Sequence, residues 1–232
     1  MYEIRQDRFH FAGIGKIPAV ASATNGVFAK TVTASGGSPT VLHGTDGLEL
    51  TLDATEEVQN LCVNFGDVLS YDIDNLVKIE FYAKVSASLA SSVSVALGMS
   101  SARNDDIDSL AAHASFRAIG DNNLLLETDD GTNDIDDKSA GCEIDDTLKL
   151  FVINFSEGIQ SKIGVPNTGG KSAVKFFAGN ARGHLRPVRP PGVIFDMSNY
   201  SGGLQPYVQI QKTSSTDVGS VKIKEIVVQH RF

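Results

Sequence analysis

Two glycine-rich stretches come nearest to nucleotide or acyl-transfer chemistry. Gly169-Gly170-Lys171-Ser172 has the ending of a phosphate-binding loop, in which backbone N–H groups cradle the phosphates and a Lys reaches them. The first Gly of such a loop belongs at position 165, which is Val165; Gly164 is one place off, and no helical pattern follows. Gly98-Met99-Ser100-Ser101-Ala102 is one residue short of the strained turn that presents a nucleophilic Ser, and it leads into no long helix. The five His residues (His10, His43, His113, His184, His230) are scattered, with no HExxH and no close pair. Cys62 and Cys142 have neither metal-binding nor disulfide-scaffold spacing, and read as two reduced, partly buried thiols of a protein made in a reducing cytoplasm.

Carboxylates are more abundant. Glu143-Ile144-Asp145-Asp146-Thr147-Leu148 resembles the paired acids of β-sandwich glucanases, where an acid and a nucleophile face one sugar bond. Leu148 stands where the last acid belongs, so no catalytic residue is assigned and no enzyme is expected. Asp129-Asp130-Gly131 raises a cation site, since calcium takes carboxylate oxygens, but Thr128 and Leu126 fall where EF-hand ligands are required. Asp129 and Asp130 stay as a speculative metal pair beside the plainer reading of a turn, and no cofactor is expected. Lectin-like sugar binding is the alternative. It is weakened by five Tyr and no Trp, because pyranose rings stack on aromatic faces; some lectins manage with Asp, Asn and a loop Gly.

The elements that would carry these residues are strands. Leu48, Leu50 and Leu52 alternate with polar residues, as do Leu61, Val63 and Phe65, then Val77, Ile79, Phe81, Ala83 and Val85, and Val93, Val95, Leu97 and Met99. A period of two places one face on a core and the other in water. Further strands are predicted at 114–119, 122–128, 148–156, 173–178, 192–196, 206–212 and 220–230, with 148–155 apolar on both faces and so central. One short helix is predicted over 105–112, capped by Asn104. About eleven strands without βαβ spacing predict an all-β fold, an antiparallel two-sheet β-sandwich. At 232 residues, 41% of them hydrophobic, the chain can bury a sizeable core. Residues 1–40, rich in Gly, Ala, Ser and Thr after Arg5, Arg8, Phe9 and Phe11, read as an extended N-terminal arm, and 41–232 as a single sandwich domain.

The first ten residues carry no apolar h-region, so no signal peptide is expected, and the apolar runs are too short for a membrane helix. A net charge of −8 argues against nucleic acid as partner. That charge is segregated: residues 121–146 hold ten acids and one Lys, whereas 158–195 hold six bases and no acid. Opposed blocks suggest pairing between subunits or with a partner. The bases include Lys171, Lys175, Arg182, Arg186 and Arg189, the last two in Arg186-Pro187-Val188-Arg189-Pro190-Pro191, a stiff basic connector.

Two stretches carry a family resemblance. One runs Leu97-Gly98-Met99-Ser100-Ser101-Ala102-Arg103-Asn104-Asp105, then Phe116-Arg117 and Leu124 to Gly131. The other runs Phe195-Asp196-Met197-Ser198-Asn199-Tyr200, then Leu204 to Lys212, closing with 221–228. Together they resemble concanavalin A-like jelly-roll sandwiches of tailed-phage structural proteins, over roughly residues 40–230. The resemblance implies a non-enzymatic virion protein: a capsid decoration (cement) protein on the capsid exterior, assembled in the host cytoplasm. It would bind the major capsid protein, often as a homotrimer. On that reading Arg5, Arg8, Phe9 and Phe11 of the arm, and the basic side chains from Lys171 to Arg189, are the partner-binding residues.

Overall fold

The computed structural model describes residues 3–12, 17–18, 23–66, 70–86, 89–120, 123–156, 170–180 and 182–232. In chain order the strands are β1 (Ile4–His10), β2 (Ala23–Asn25), β3 (Phe28–Thr33), β4 (Thr40–Gly44), β5 (Gly47–Thr51), β6 (Glu57–Asn64), β7 (Tyr71–Asp72), β8 (Leu76–Val85) and β9 (Val93–Ser100). There follow β10 (His113–Ile119), β11 (Asn123–Asp129), β12 (Asp134–Glu143), β13 (Lys149–Asn154), β14 (Lys175–Gly179), β15 (Arg186–Val188), β16 (Gly203–Ser215) and β17 (Ser220–Arg231). All pairings among them are antiparallel. One sheet runs β15-β14-β13-β8-β17-β5-β4 with β1 also on β17; the other runs β12-β11-β10-β9-β16-β6-β3-β2 with β7 on β16. The two-sheet sandwich predicted from the period of two is therefore present.

Its core lies between the alternating faces. Phe81, Ile79, Ile223 and Val228 of the first sheet meet Leu97, Phe116, Val208 and Ile210 of the second, all essentially buried. Phe116, Phe151, Phe176 and Phe195 pack edge-on or tilted at 4.9–5.2 Å between ring centres, an arrangement that adds to simple area burial. As predicted, β13 is buried on both faces and lies inside its sheet.

Residues 1–40 differ from the expected arm. β1 pairs with β17 from Ile4 to His10, and β3 pairs with β6 and with β2, so this stretch contributes one strand to the first sheet and two to the second. Phe9 and Phe11 from β1 and its extension meet Phe28 of β3 and Phe65 after β6 at 4.9–5.6 Å, closing one side of the sandwich. The Gly/Ser tract is held too: the N–H groups of Ser35, Gly36 and Gly37 donate to the Glu57 carboxylate at 2.7–2.9 Å. The low apolar content that suggested an arm is that of edge strands, whose outward faces stay wet.

Other elements also differ. The predicted helix over 105–112 is a single 3₁₀ turn, Ile107–Ser109, capped by Asp106 rather than by Asn104. Residues 192–196 form no strand, only a bridge from Phe195 to Val174. The acidic stretch taken as a loop contains β12. At one end of the sandwich Lys212 of β16 is buried, and its ammonium donates to four backbone carbonyls, of Asp53, Thr55, Ser215 and Asp217, at 2.6–3.1 Å.

Candidate functional site

The period of two places Asn60 and Cys62 of β6, Ala96, Gly98 and Ser100 of β9, and His113, Ser115 and Arg117 of β10 on the outer face of the second sheet. Glu127 of β11 and Gln205, Tyr207, Gln209 and Gln211 of β16 share that face. Expected to meet water, this face is instead covered by residues 101–112. Ile107 and Leu110 pack on Cys62, Ala96 and Tyr207 in a second small core. The Asn60 and Gln209 amides donate to the Asp105 carbonyl, and the Ile107 N–H donates to Gln211 Oε1 at 3.3 Å. Burial, with the neighbouring Cys62 adding, pushes the Tyr207 hydroxyl well above its ordinary pKa. Gly98 is where two strands approach too closely for a side chain, since a Cβ there would lie 2.2 Å from the Ala114 carbonyl oxygen.

Beside this covered half stands a charged cluster. Glu127 lies opposite Ser115 in the β10–β11 register, so His113 and Arg117, two residues either way, reach it diagonally. His113 Nε2 lies 2.8 Å from Glu127 Oε1, and Arg117 Nη1 donates to Glu127 Oε2 at 2.6 Å. All three side chains are only 2% exposed, so the ions are out of water. His113 Nδ1 lies 3.2 Å from the Leu110 carbonyl, so both ring nitrogens face acceptors. The same Arg117 Nη1 meets Asp108 of the 3₁₀ turn and, at 3.6 Å, Asp137. Asp137 is delivered by a bulge: Asp136 and Asp137 together oppose Glu127 where the β11–β12 register shifts, and Asp137 takes a left-handed φ of 45°.

Burial alone would lift the Glu127 carboxyl, but His113 and then Arg117 outweigh it and hold Glu127 below the usual carboxylate range. Burial also works against the Arg117 charge, and the Glu127 carboxylate overrides it. Burial lifts Asp137 above that range, with Arg117 pulling it down and the Glu127 charge pushing it up. Two carboxyls driven in opposite directions around one cation is an arrangement that acid–base chemistry uses. Here the guanidinium lies between them, and both Glu127 oxygens are already bonded.

Asp134 and Asp136 stand next to this cluster on β12. Burial, and then the hydrogen bond to Asp136, push the Asp134 carboxyl up to about 6. A carboxyl whose folded pKa is raised makes the protein less stable as pH climbs from its ordinary value through the raised one. Asp134→Asn should therefore raise Tm at pH 7 but not at pH 4. The gain is on the order of 0.5 kcal/mol, because the exposed group is largely screened. Thermal melts at the two pH values check this, and an equal gain at both would count against it.

The structure gives the sequence-expected residues other surroundings. Phe11 is fully buried and Phe9 half-buried, both packed against the core. Arg8 pairs with Glu225 at 3.0 Å, and Arg5 stacks on the Phe232 ring at 3.5 Å. Lys171 binds Asp74 at 2.6 Å and the Tyr200 carbonyl at 2.9 Å. Lys175 lies on β14, and Arg182 opens the 3₁₀ turn Arg182–His184. Arg186 and Arg189 are exposed on and just after β15. Lys162 and Gly169 lie outside the described residues.

Asp130 accepts from the N–H groups of Thr132, Asn133 and Asn199 and from both Asn side chains, and Asp129 accepts from the Gly131 N–H. The speculative metal pair is thus a turn whose carboxylates already bind the chain's own donors. The Glu143 motif does not converge either. Asp145 pairs with Lys149 and Asp146 with Lys84, each at 3.0 Å, in the turn between β12 and β13. Sequence reasoning missed Glu127, Arg117 and His113. Their signal was Arg117 and His113 two places either side of Ser115 in a strand, beside an acid two strand positions from Leu125.

No protein-family model and no curated protein sequence matches this chain. Solved structures do. The Emp47p carbohydrate recognition domain superposes with a TM-score of 0.58 at 12% identity, covering 96% of this chain and 93% of that one. A Bacillus licheniformis β-glucanase gives 0.60 at 8% identity, covering 96% and 97%. The Crh5 transglycosylase gives 0.54 at 12% identity, covering 96% and 83%. At these identities the likeness is one of fold: a concanavalin A-like jelly-roll sandwich, as the resemblance implied. None of the three is a phage protein. The expectation of no enzyme is corrected, because a glucanase and a transglycosylase share this fold and its architecture does not set the chain apart from enzymes.

Proposed function

We propose that the protein is a lectin-like carbohydrate-binding module whose site is the charged cluster on the second sheet's outer face, where the exposed Asp108 and Asp137 flank the buried Arg117. The observation that carries the reading is the convergence of the exposed Asp108 and Asp137 carboxylates on the buried Arg117–Glu127–His113 base. Carboxylates fixed by a buried cation are preorganised acceptors for sugar hydroxyls and lose little freedom on binding. Sugar-binding and sugar-cleaving neighbours support it by fold analogy. Of the residues expected to meet a capsid, Phe11 is buried and Arg8 and Lys171 pair with Glu225 and Asp74 within the chain.

A glycan array followed by calorimetry tests it. The wild type should bind a defined sugar class, and Asp108→Asn/Asp137→Asn should weaken that binding tenfold or more while leaving the fold intact. No sugar bound by the wild type would overturn the reading. Reducing sugar released from a β-glucan by the wild type, and not by Glu127→Gln, would replace binding with turnover.

A further inference from the structure

A second site lies where the two sheets part, between edge strand β12 and strands β13 to β15. Along the middle of the sandwich, Phe116, Phe151 and Phe176 fill the space between the sheets. At this edge the facing positions are Cys142 and Ala178, too small to meet across the gap. The result is a cleft of about 420 Å³, within the roughly 300–1,000 Å³ of small-molecule sites. Its floor is apolar and pre-formed, made by Leu124, Phe151, Ala178 and Val188, all buried.

Its mouth carries a guanidinium. Arg186 and His184 are exposed there, and no ion pair or hydrogen bond engages either among the described residues. Lys149 on the lip is already neutralised by Asp145 at 3.0 Å and held by the Glu143 carbonyl at 3.0 Å, and Glu143 is the acid among the described lining residues. The Arg186 guanidinium, which no side-chain partner among the described residues engages, is the group there that favours an anionic ligand. A guanidinium on the rim of an apolar slot matches a planar, bidentate acceptor on an apolar tail.

We propose that this cleft binds an amphiphilic carboxylate, its alkyl chain on the Leu124–Phe151 floor and its head group on Arg186. A medium-chain fatty-acid anion is the simplest such ligand. The site is separate from the charged cluster on the outer sheet face and does not depend on the sugar-binding reading.

Cys142, half-buried in the wall, serves as a reporter, and the buried Cys62 as its internal control. Octanoate should bind saturably by calorimetry and slow alkylation of Cys142 by iodoacetamide at least fivefold, leaving Cys62 unaffected. Octan-1-ol should bind at least tenfold more weakly, and Arg186→Ala should cost a similar factor. Ala178→Leu should fill the slot and abolish binding; Arg186→Ala, at the surface, keeps the test independent of core folding. No saturable octanoate binding, octanol binding as tight as octanoate, or affinity unchanged in Arg186→Ala would each overturn the proposal.

Discussion

Lys212→Met should lower the unfolding free energy by about 3 kcal/mol, because it leaves buried carbonyls without the donor they were built around. The Lys212 ammonium is fixed by four backbone oxygens, two from the 53–55 turn and two from the 215–217 turn. No carboxylate offsets its charge among these four partners; the carbonyl dipoles do so. Removing it unties β5–β6 from β16–β17 at that end, and the methionine brings an apolar tip to a polar cage. Urea denaturation compared with Lys222→Met gives the measurement. Lys222 makes surface pairs with Asp46 and Glu49, and such pairs contribute below about 1 kcal/mol. A loss in Lys212→Met no greater than in Lys222→Met would show that the carbonyls rehydrate freely.

Arg117→Met should cost about 3–5 kcal/mol at neutral pH, the usual penalty for removing one partner of a buried ion pair. It strips the cation from Glu127, Asp108 and Asp137 together. Its pH dependence is the sharper test. In the wild type Glu127 is held below its ordinary value, so its contribution is present at neutral pH and is lost as pH falls through the folded pKa. Without Arg117, burial acts on Glu127 with only His113 to oppose it, so its pKa rises. The gap between variant and wild type should then widen from pH 4 to pH 8. Because Arg117 also anchors the 3₁₀ turn through Asp108, protease should cut within 101–112 sooner in the variant. A gap independent of pH would show that Arg117 acts by packing its stem alone.

The sandwich was legible because burying one face of each strand forces a period of two, and Val77 to Val85 displays it without interruption. What hid the rest was burial on a second face. His113, Ser115 and Arg117 read as a solvated face, yet residues 101–112 fold back over part of it, and nothing in a local pattern says which loop returns. The strand β12 read as a loop because its acids suggest repulsion and its bulge breaks the alternation. β1 read as part of an arm because an edge strand needs only a few large side chains, here Phe9 and the Phe11 that follows it. The charge blocks were real in sequence, but some of their members pair elsewhere: Glu127 with Arg117, Asp146 with Lys84, Lys171 with Asp74.

The bulge that delivers Asp137 has a consequence for behaviour at high concentration. β12 is a ten-residue strand with one side of its backbone unpaired among the described residues, which is a template for adding foreign strands. Two register shifts, a left-handed residue and a run of like charge spoil that template along its length. Pro187 in the three-residue β15 removes a donor from the neighbouring edge of the other sheet. The same irregularity that aims a carboxylate at Arg117 also guards this side of the sandwich against polymerising into fibrils.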